Sequence, residues 1–285
     1  MKKGYVQSGC YTLYYEIHGE GPPVILLNGG PGFSHEYLEP LQALADRYQL
    51  IFFDQRGTGD SDKADTRSYT IDANVEDLEQ VRRQLNLGRC AIFGHSWGGM
   101  LAQAYILKYP HNVSKLILAD TFSSIDDLNE TFARMRAGLP PELQAVCEQY
   151  ERQGLYRDGD RYPDEYQAAL DVAYEPVTIS VPAPPCLQNM FTQVAYDVYR
   201  VMWGEQSEFK ITGTLREFNA EPRLGEIQVP TLVIVGASDR PKVAMAEKTA
   251  RLIPEARLEV FEHSRHFPFI EEPEKFMQVM RQFLG

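Results

Sequence analysis

The sequence predicts an α/β protein: a mostly parallel central sheet with helices on both faces, interrupted by one helical insertion. Three observations carry this. Short apolar runs alternate with amphipathic or helix-like stretches from Val24 to Asp120. The same alternation resumes at Thr231 and runs to residue 284. Between them lie about a hundred residues, 121 to 225, rich in Tyr, Glu and Pro and too long for a plain connection. Alternating strand and helix units imply parallel strands covered on both faces. The break reads as a helical cap, 121–225, inserted into a core formed by 1–120 and 226–285.

The elements follow in order. Tyr11, Leu13, Tyr15 and Ile17 alternate within residues 5–17 and predict an antiparallel N-terminal hairpin. Val24 to Leu27 is continuously apolar, as a strand covered on both faces requires. Asn28-Gly29-Gly30-Pro31-Gly32 ends it abruptly, and a helix is expected over about 36–46. Gln49 to Phe53 predicts a strand leading into Asp54-Gln55-Arg56-Gly57, where the Asp and Arg are expected to brace neighbouring loops through an ion pair. Ile71, Val75, Leu78, Val81 and Leu85 line one face of a helix over 71–86. Cys90 to Phe93 and Lys115 to Asp120 predict two more buried strands, with a helix from Met100 to Tyr109 between them, stopped by Pro110. After the insertion come a strand at 231–236, a helix near 242–253, a strand at 256–261 and a C-terminal helix over about 272–284.

Bulk properties exclude several classes of function. With 285 residues the chain suits one large domain or a core with an inserted subdomain. The net charge of −12 argues against nucleic acid or an anionic membrane as partner, while remaining compatible with amine-bearing ligands. No run approaches the length of a membrane span, and the basic N-terminus lacks an apolar stretch after it. Cys10, Cys90, Cys147 and Cys186 are far apart, without metal-like spacing. Free thiols in a reducing compartment are expected, hence a cytoplasmic protein without a structural metal.

The chemistry is concentrated in Gly94-His95-Ser96-Trp97-Gly98-Gly99. A strand, a sharp turn and a helix with Ser at the apex form a nucleophile elbow. Small residues flank such a Ser because strand and helix pass close together. A Ser hydroxyl needs a base within hydrogen-bond reach and a third group to orient that base. The expected chain order is Ser, acid, His. Ser96 is followed by Asp239, just after strand 231–236, and then by His266, after strand 256–261. Asp120, at the end of strand 115–120, is the rival acid, and His263 is the rival base. His95 points away from the reaction and supports the elbow. The tetrahedral oxyanion needs backbone donors. One is the Trp97 amide, and the other comes from Gly29 or Gly30.

Taken together, Gly29-Gly30-Pro31-Gly32, Asp54-Gln55-Arg56-Gly57 with Gly59 and Ser61, the Ser96 elbow, Asp239 and His266 resemble the prolyl aminopeptidase (proline iminopeptidase) family of α/β-hydrolases. The match runs over nearly the whole chain, and the cap segment Glu208 to Thr214 looks like those of the tricorn-interacting members. The resemblance implies an α/β-hydrolase fold and a serine exopeptidase that releases an N-terminal residue, often proline, from short peptides. It implies no metal or organic cofactor. It also implies that Glu208 receives the substrate's α-amino group. Two positions depart from the family pattern: Asn28 stands where His is usual, and Arg240 follows Asp239 where the tricorn-interacting members often carry Glu. Arg240 would favour a substrate carboxylate if it faced the pocket. An esterase, lactonase or amidase using the same triad is therefore the competing expectation. A non-catalytic binding protein on this fold is the remote one.

Overall fold

The computed structural model describes residues 1–154, 162–238 and 240–285, with the main chain alone at 240 and 241. The N-terminal hairpin pairs β1 (Lys2–Ser8) with β2 (Tyr11–His18), opposing Tyr5 to Tyr14 and Val6 to Leu13. Then come β3 (Pro23–Leu27), β4 (Gln49–Phe53), β5 (Cys90–His95), β6 (Val113–Ala119), β7 (Thr231–Gly236) and β8 (Ala256–Phe261). Among the described residues they form one eight-stranded sheet in the order β1-β2-β4-β3-β5-β6-β7-β8. Pairing is antiparallel from β1 to β4 through β2 and parallel everywhere else. The predicted class is the observed one.

Two-sided burial explains the apolar runs. In β3, Ile25 and Leu27 enter one core while Val24 and Leu26 enter the other. In β5, Cys90 and Ile92 divide from Ala91 and Phe93 in the same way. The first core is covered by α1 (Ile71–Gln84) and α2 (Trp97–Lys108). Thr70 caps α1 by accepting a hydrogen bond from the Ala73 amide. The second core lies under the C-terminal helix and the segment His35–Leu44. The helix expected there is of the 3-10 type, because Pro40 within it supplies no N–H to an α-helical ladder.

Between β6 and β7 the chain forms α3 (Ile125–Ala137), α4 (Pro141–Gln153), α5 (Asp164–Thr178), α6 (Pro185–Thr192) and α7 (Tyr196–Trp203). Prolines set three of these starts. Pro140 and Pro141 open α4, Pro163 precedes α5, and Pro184 and Pro185 open α6. The chain closes with α8 (Arg240–Leu252), a short α9 (Pro268–Glu271) and α10 (Pro273–Leu284). No helix among the described residues is long and apolar enough to cross a membrane.

The strand order fixes where a ligand can sit. From β3 the chain moves to β4 on one side, then crosses to β5 on the other. The crevice at such a reversal lies beyond the carboxyl ends of β3 and β5. Leu27 pairs with Gly94 there, so the Gly29–Gly32 loop and Ser96 emerge side by side.

Candidate active site

Strand β5 ends at His95 and α2 starts at Trp97, so Ser96 alone makes the turn. The helix begins three residues earlier than the sequence pattern indicated. Gly98 and Gly99, which read as turn residues, lie inside it. A Cβ on Gly98 would stand 2.2 Å from the Leu27 carbonyl oxygen, and one on Gly94 would stand 2.3 Å from the Gly98 carbonyl oxygen. These contacts pull the helix start tight against β3 and β5. Ser96 is left at φ 56°, ψ −122°, a conformation that a residue with a Cβ adopts at a cost of about 1–3 kcal/mol. Its main chain is anchored on both sides. The Ser96 amide donates to Ala119 O at 2.9 Å, and the Thr121 hydroxyl donates to Ser96 O at 2.6 Å.

Trp97 provides the first amide of α2, and first-turn amides have no acceptor within their own helix. The indole of Trp97 is fully buried and donates to Gln55 Oε1 at 2.6 Å. Gln55 Nε2 in turn donates to Asn28 O at 3.1 Å. Asn28 itself turns its side-chain amide to Phe33 O at 2.7 Å, so this departure from the family's His supports the glycine loop from within. The Gly29 amide donates to Tyr37 Oη at 2.5 Å.

Asp54 and Arg56 do brace loops, Asp54 through hydrogen bonds and Arg56 through an ion pair, but not with each other. Asp54 Oδ1 accepts from the His35 ring and main chain at 2.8 and 2.9 Å, and Oδ2 accepts from the Asp60 amide. Arg56 grips Asp77 on α1 through two hydrogen bonds of 2.6 and 2.7 Å. Both partners are buried, so removing either would leave a bare charge at a cost of about 3–5 kcal/mol.

His266 lies in the loop after β8, just before α9. Its amide donates to Thr178 O at the end of α5, and its neighbour Arg265 donates to Ile179 O at 2.8 Å. The rival His263 is exposed, with its amide tied to Glu272. His266 Nδ1 is buried and has no hydrogen-bond partner among the described residues. Burial holds the His266 imidazole well below its ordinary pKa, and the charges of Lys242 and His95 add to this. An imidazole kept neutral at pH 7 is the consequence. Asp239 lies outside the described residues, as does the side chain of Arg240. The rival acid Asp120 directly follows β6 at φ 46° and accepts from the Gly236 amide at 3.0 Å, which ties it to β7.

His95 is wholly enclosed. Its Nδ1 lies 2.8 Å from Tyr37 Oη and its Nε2 lies 2.7 Å from His266 O. Burial lowers its pKa from 6.5 to about 4, against the opposing effect of the His266 carbonyl. The linkage is directional. Between pH 6.5 and about 4 the unfolded chain binds a proton at His95 that the folded chain refuses, so stability falls as pH drops through that window. Between pH 7.5 and 5 the loss from His95 alone is about 2 kcal/mol. His95→Gln is expected to remove roughly that much of the pH dependence. Urea midpoints at the two pH values check it, and an unchanged slope in the variant would refute it.

Glu208 follows α7 and is 4% exposed. Tyr199 donates to its Oε2 at 2.7 Å, and Tyr162 donates to Oε1. The Glu208 amide donates to Tyr166 Oη at 3.2 Å. Tyr199 sits on the first turn of α7, and the Ala195 amide just before that helix donates to Gly32 O at 2.8 Å. The carboxylate is thus one tyrosine side chain away from a helix anchored on the Gly29–Gly32 loop. Among the described residues no group of three or more His, Cys, Asp or Glu side chains is arranged to hold a metal ion.

Tyr37 and Gln55 carried no signal that sequence reasoning could use. Tyr37 occupies an apolar position of its segment, and its hydroxyl partners come from the distant Gly29 loop and the end of β5. Gln55 lies inside a loop motif whose charged members draw the attention.

Known proteins match this architecture along the whole chain. The family model described as alpha/beta hydrolase fold matches residues 22–273. A proline iminopeptidase from Heyndrickxia coagulans is 35% identical over 274 residues, covering 95% of this chain and 93% of that protein. The crystal structure of VinJ superposes with a TM-score of 0.90 at 33% identity, covering 99% of this chain and 98% of the other. That of a proline iminopeptidase from Mycobacterium smegmatis gives 0.86 at 29% identity, covering 99% and 97%. With fold, elbow and full-length similarity in agreement, the chain belongs to the α/β-hydrolase family and, within it, to the proline iminopeptidases.

Proposed function

We propose that this protein is a serine aminopeptidase that releases the N-terminal residue, proline among others, from short peptides or amino-acid amides. Ser96 Oγ attacks the scissile carbonyl while His266 takes its proton. Asp239 orients His266 through the buried Nδ1. The loops after β7 and β8 run together, with the Ala237 amide on Phe261 O at 2.9 Å and the Ser238 amide on Ser264 O at 3.2 Å. That contact supports an acid at 239 acting on a base at 266. The amides of Trp97 and Gly30 hold the oxyanion, because the Gly29 amide is already engaged by Tyr37. Collapse of the tetrahedral intermediate passes the proton from His266 to the leaving amine. Water then releases the acyl group from Ser96 by the same route in reverse.

The observation that carries the peptidase reading is Glu208. A buried carboxylate held by Tyr199, on a helix anchored to Gly32, has the charge to receive a substrate ammonium. Residues 121–225 act as the cap that encloses this end of the substrate and excludes long or folded chains. The four free thiols fit a reducing, cytoplasmic setting. Purified protein is expected to release arylamine from proline and alanine arylamides with a free amino terminus, and to leave the N-acetylated forms intact. Turnover of simple esters with none of any arylamide would replace this reading with an esterase or lactonase.

A further inference from the structure

The peptide unit joining Asn28 to Gly29 is held at both of its polar atoms. Its carbonyl accepts from Gln55 Nε2 at 3.1 Å, and its N–H donates to Tyr37 Oη at 2.5 Å. Gln55, Tyr37 and Asn28 are all buried. Behind Tyr37 stands His95, and behind His95 the main chain of His266. Behind Gln55 stands the indole of Trp97.

The direction of every hydrogen bond in this series is forced. A carbonyl only accepts, so His95 Nε2 carries a proton and donates it to His266 O. A neutral His95 then presents a bare Nδ1, which accepts the Tyr37 O–H. With its proton committed, Tyr37 Oη has only lone pairs left for the Gly29 N–H. No alternative arrangement satisfies all four groups in a site closed to water.

We propose that Tyr37 and Gln55 are positioning residues of the oxyanion hole, with His95 coupling that hole to the loop of the base. Clamping the Asn28–Gly29 unit fixes the orientation of the next unit, whose N–H is that of Gly30. Gly29 lies close enough to Ser96 that a Cβ on it would stand 3.0 Å from Ser96 Cβ, so a small swing of this unit moves Gly30 N–H relative to the reacting carbonyl. Preorganised donors stabilise the transition state more than the bound substrate. The clamp therefore acts on kcat and leaves KM nearly unchanged. This inference rests on the assignment of Ser96 as nucleophile, and the experiment separates the two.

The test is the rate constant for labelling by a fluorophosphonate, whose tetrahedral adduct loads the same hole, together with kcat and KM on an arylamide. Wild type labels once per chain and Ser96→Ala does not. Tyr37→Phe is expected to label to full stoichiometry about tenfold more slowly, with kcat reduced by a similar factor and KM within twofold. Gln55→Leu should behave alike. His95→Gln, which keeps an amide donor for His266 O, should retain more activity than His95→Ala. Adding Tyr37→Phe to His95→Ala should cost little further, since both break one series. Labelling of Tyr37→Phe and Gln55→Leu at the wild-type rate overturns the proposal, as does a loss matched by the unfolded fraction in circular dichroism. Absence of label on wild type overturns the nucleophile assignment itself.

Discussion

Replacing Ser96 by Ala is expected to reduce kcat by roughly 10⁴- to 10⁶-fold while leaving the melting temperature almost unchanged. The two halves of that statement have separate causes. Hydrolysis through an acyl-enzyme needs the Oγ, and neither the oxyanion amides nor His266 can replace it. Stability does not need it. The bonds that anchor Ser96 among the described residues use its main chain, to Ala119 O, Gly99 N and Thr121 Oγ1, and Ala keeps all three. Ser96→Gly sharpens the experiment. Gly removes the penalty of φ 56°, about 1–3 kcal/mol, and adds about 1 kcal/mol of unfolded-state entropy. That variant should be as inactive as Ser96→Ala and at least as stable as wild type. Arylamide turnover and a thermal melt by circular dichroism check both variants. Residual activity above about 1% in either, against a loss of several orders of magnitude, would mean that another group is the nucleophile.

This separation of activity from stability also explains which parts of the molecule were legible in the sequence. Residues in β3, β5 and β7 are apolar on consecutive positions because both faces of the sheet are covered, and such runs are visible without any structure. The strands at 231–236 and 256–261 appear with the boundaries read from the sequence. The elbow was legible because steric need leaves glycines where backbones cross. The segment 35–44 is legible as helical because its buried Tyr37, Leu38, Leu41 and Leu44 carry helical spacing, while its ladder type is decided by Pro40. The helices between β6 and β7 resisted delimitation for a different reason. Their tyrosines use ring and hydroxyl together. Tyr166 is fully buried yet exchanges hydrogen bonds with Glu151 and Glu208, so it counts as neither apolar nor polar in a periodicity. Positioning groups such as Tyr37 and Gln55 are hidden for the same cause: what matters is where one atom ends, and composition carries no trace of it.

The second large effect concerns the amine end of the substrate. Glu208→Gln keeps the volume and the hydrogen-bonding shape, and its amide oxygen still accepts from one of Tyr162 and Tyr199. Only the negative charge is lost. A substrate ammonium would then be buried without its counter-charge, a penalty of about 3 kcal/mol, which corresponds to a fall in kcat/KM of roughly a hundredfold. The loss should be confined to substrates with a free amino terminus. A simple ester acylates Ser96 without using Glu208, so its turnover, and labelling by a fluorophosphonate, should change by less than about threefold, which corresponds to under 1 kcal/mol. The contrast between the two substrate classes matters more than either number. Distortion of the helices between β6 and β7 would slow both classes, because α7 is anchored on Gly32 and α5 on His266. A selective loss on amine substrates therefore identifies Glu208 as the amine receptor. An equal loss on both classes would make Glu208 a structural carboxylate that holds Tyr199 in place, and the ammonium would have to be received elsewhere.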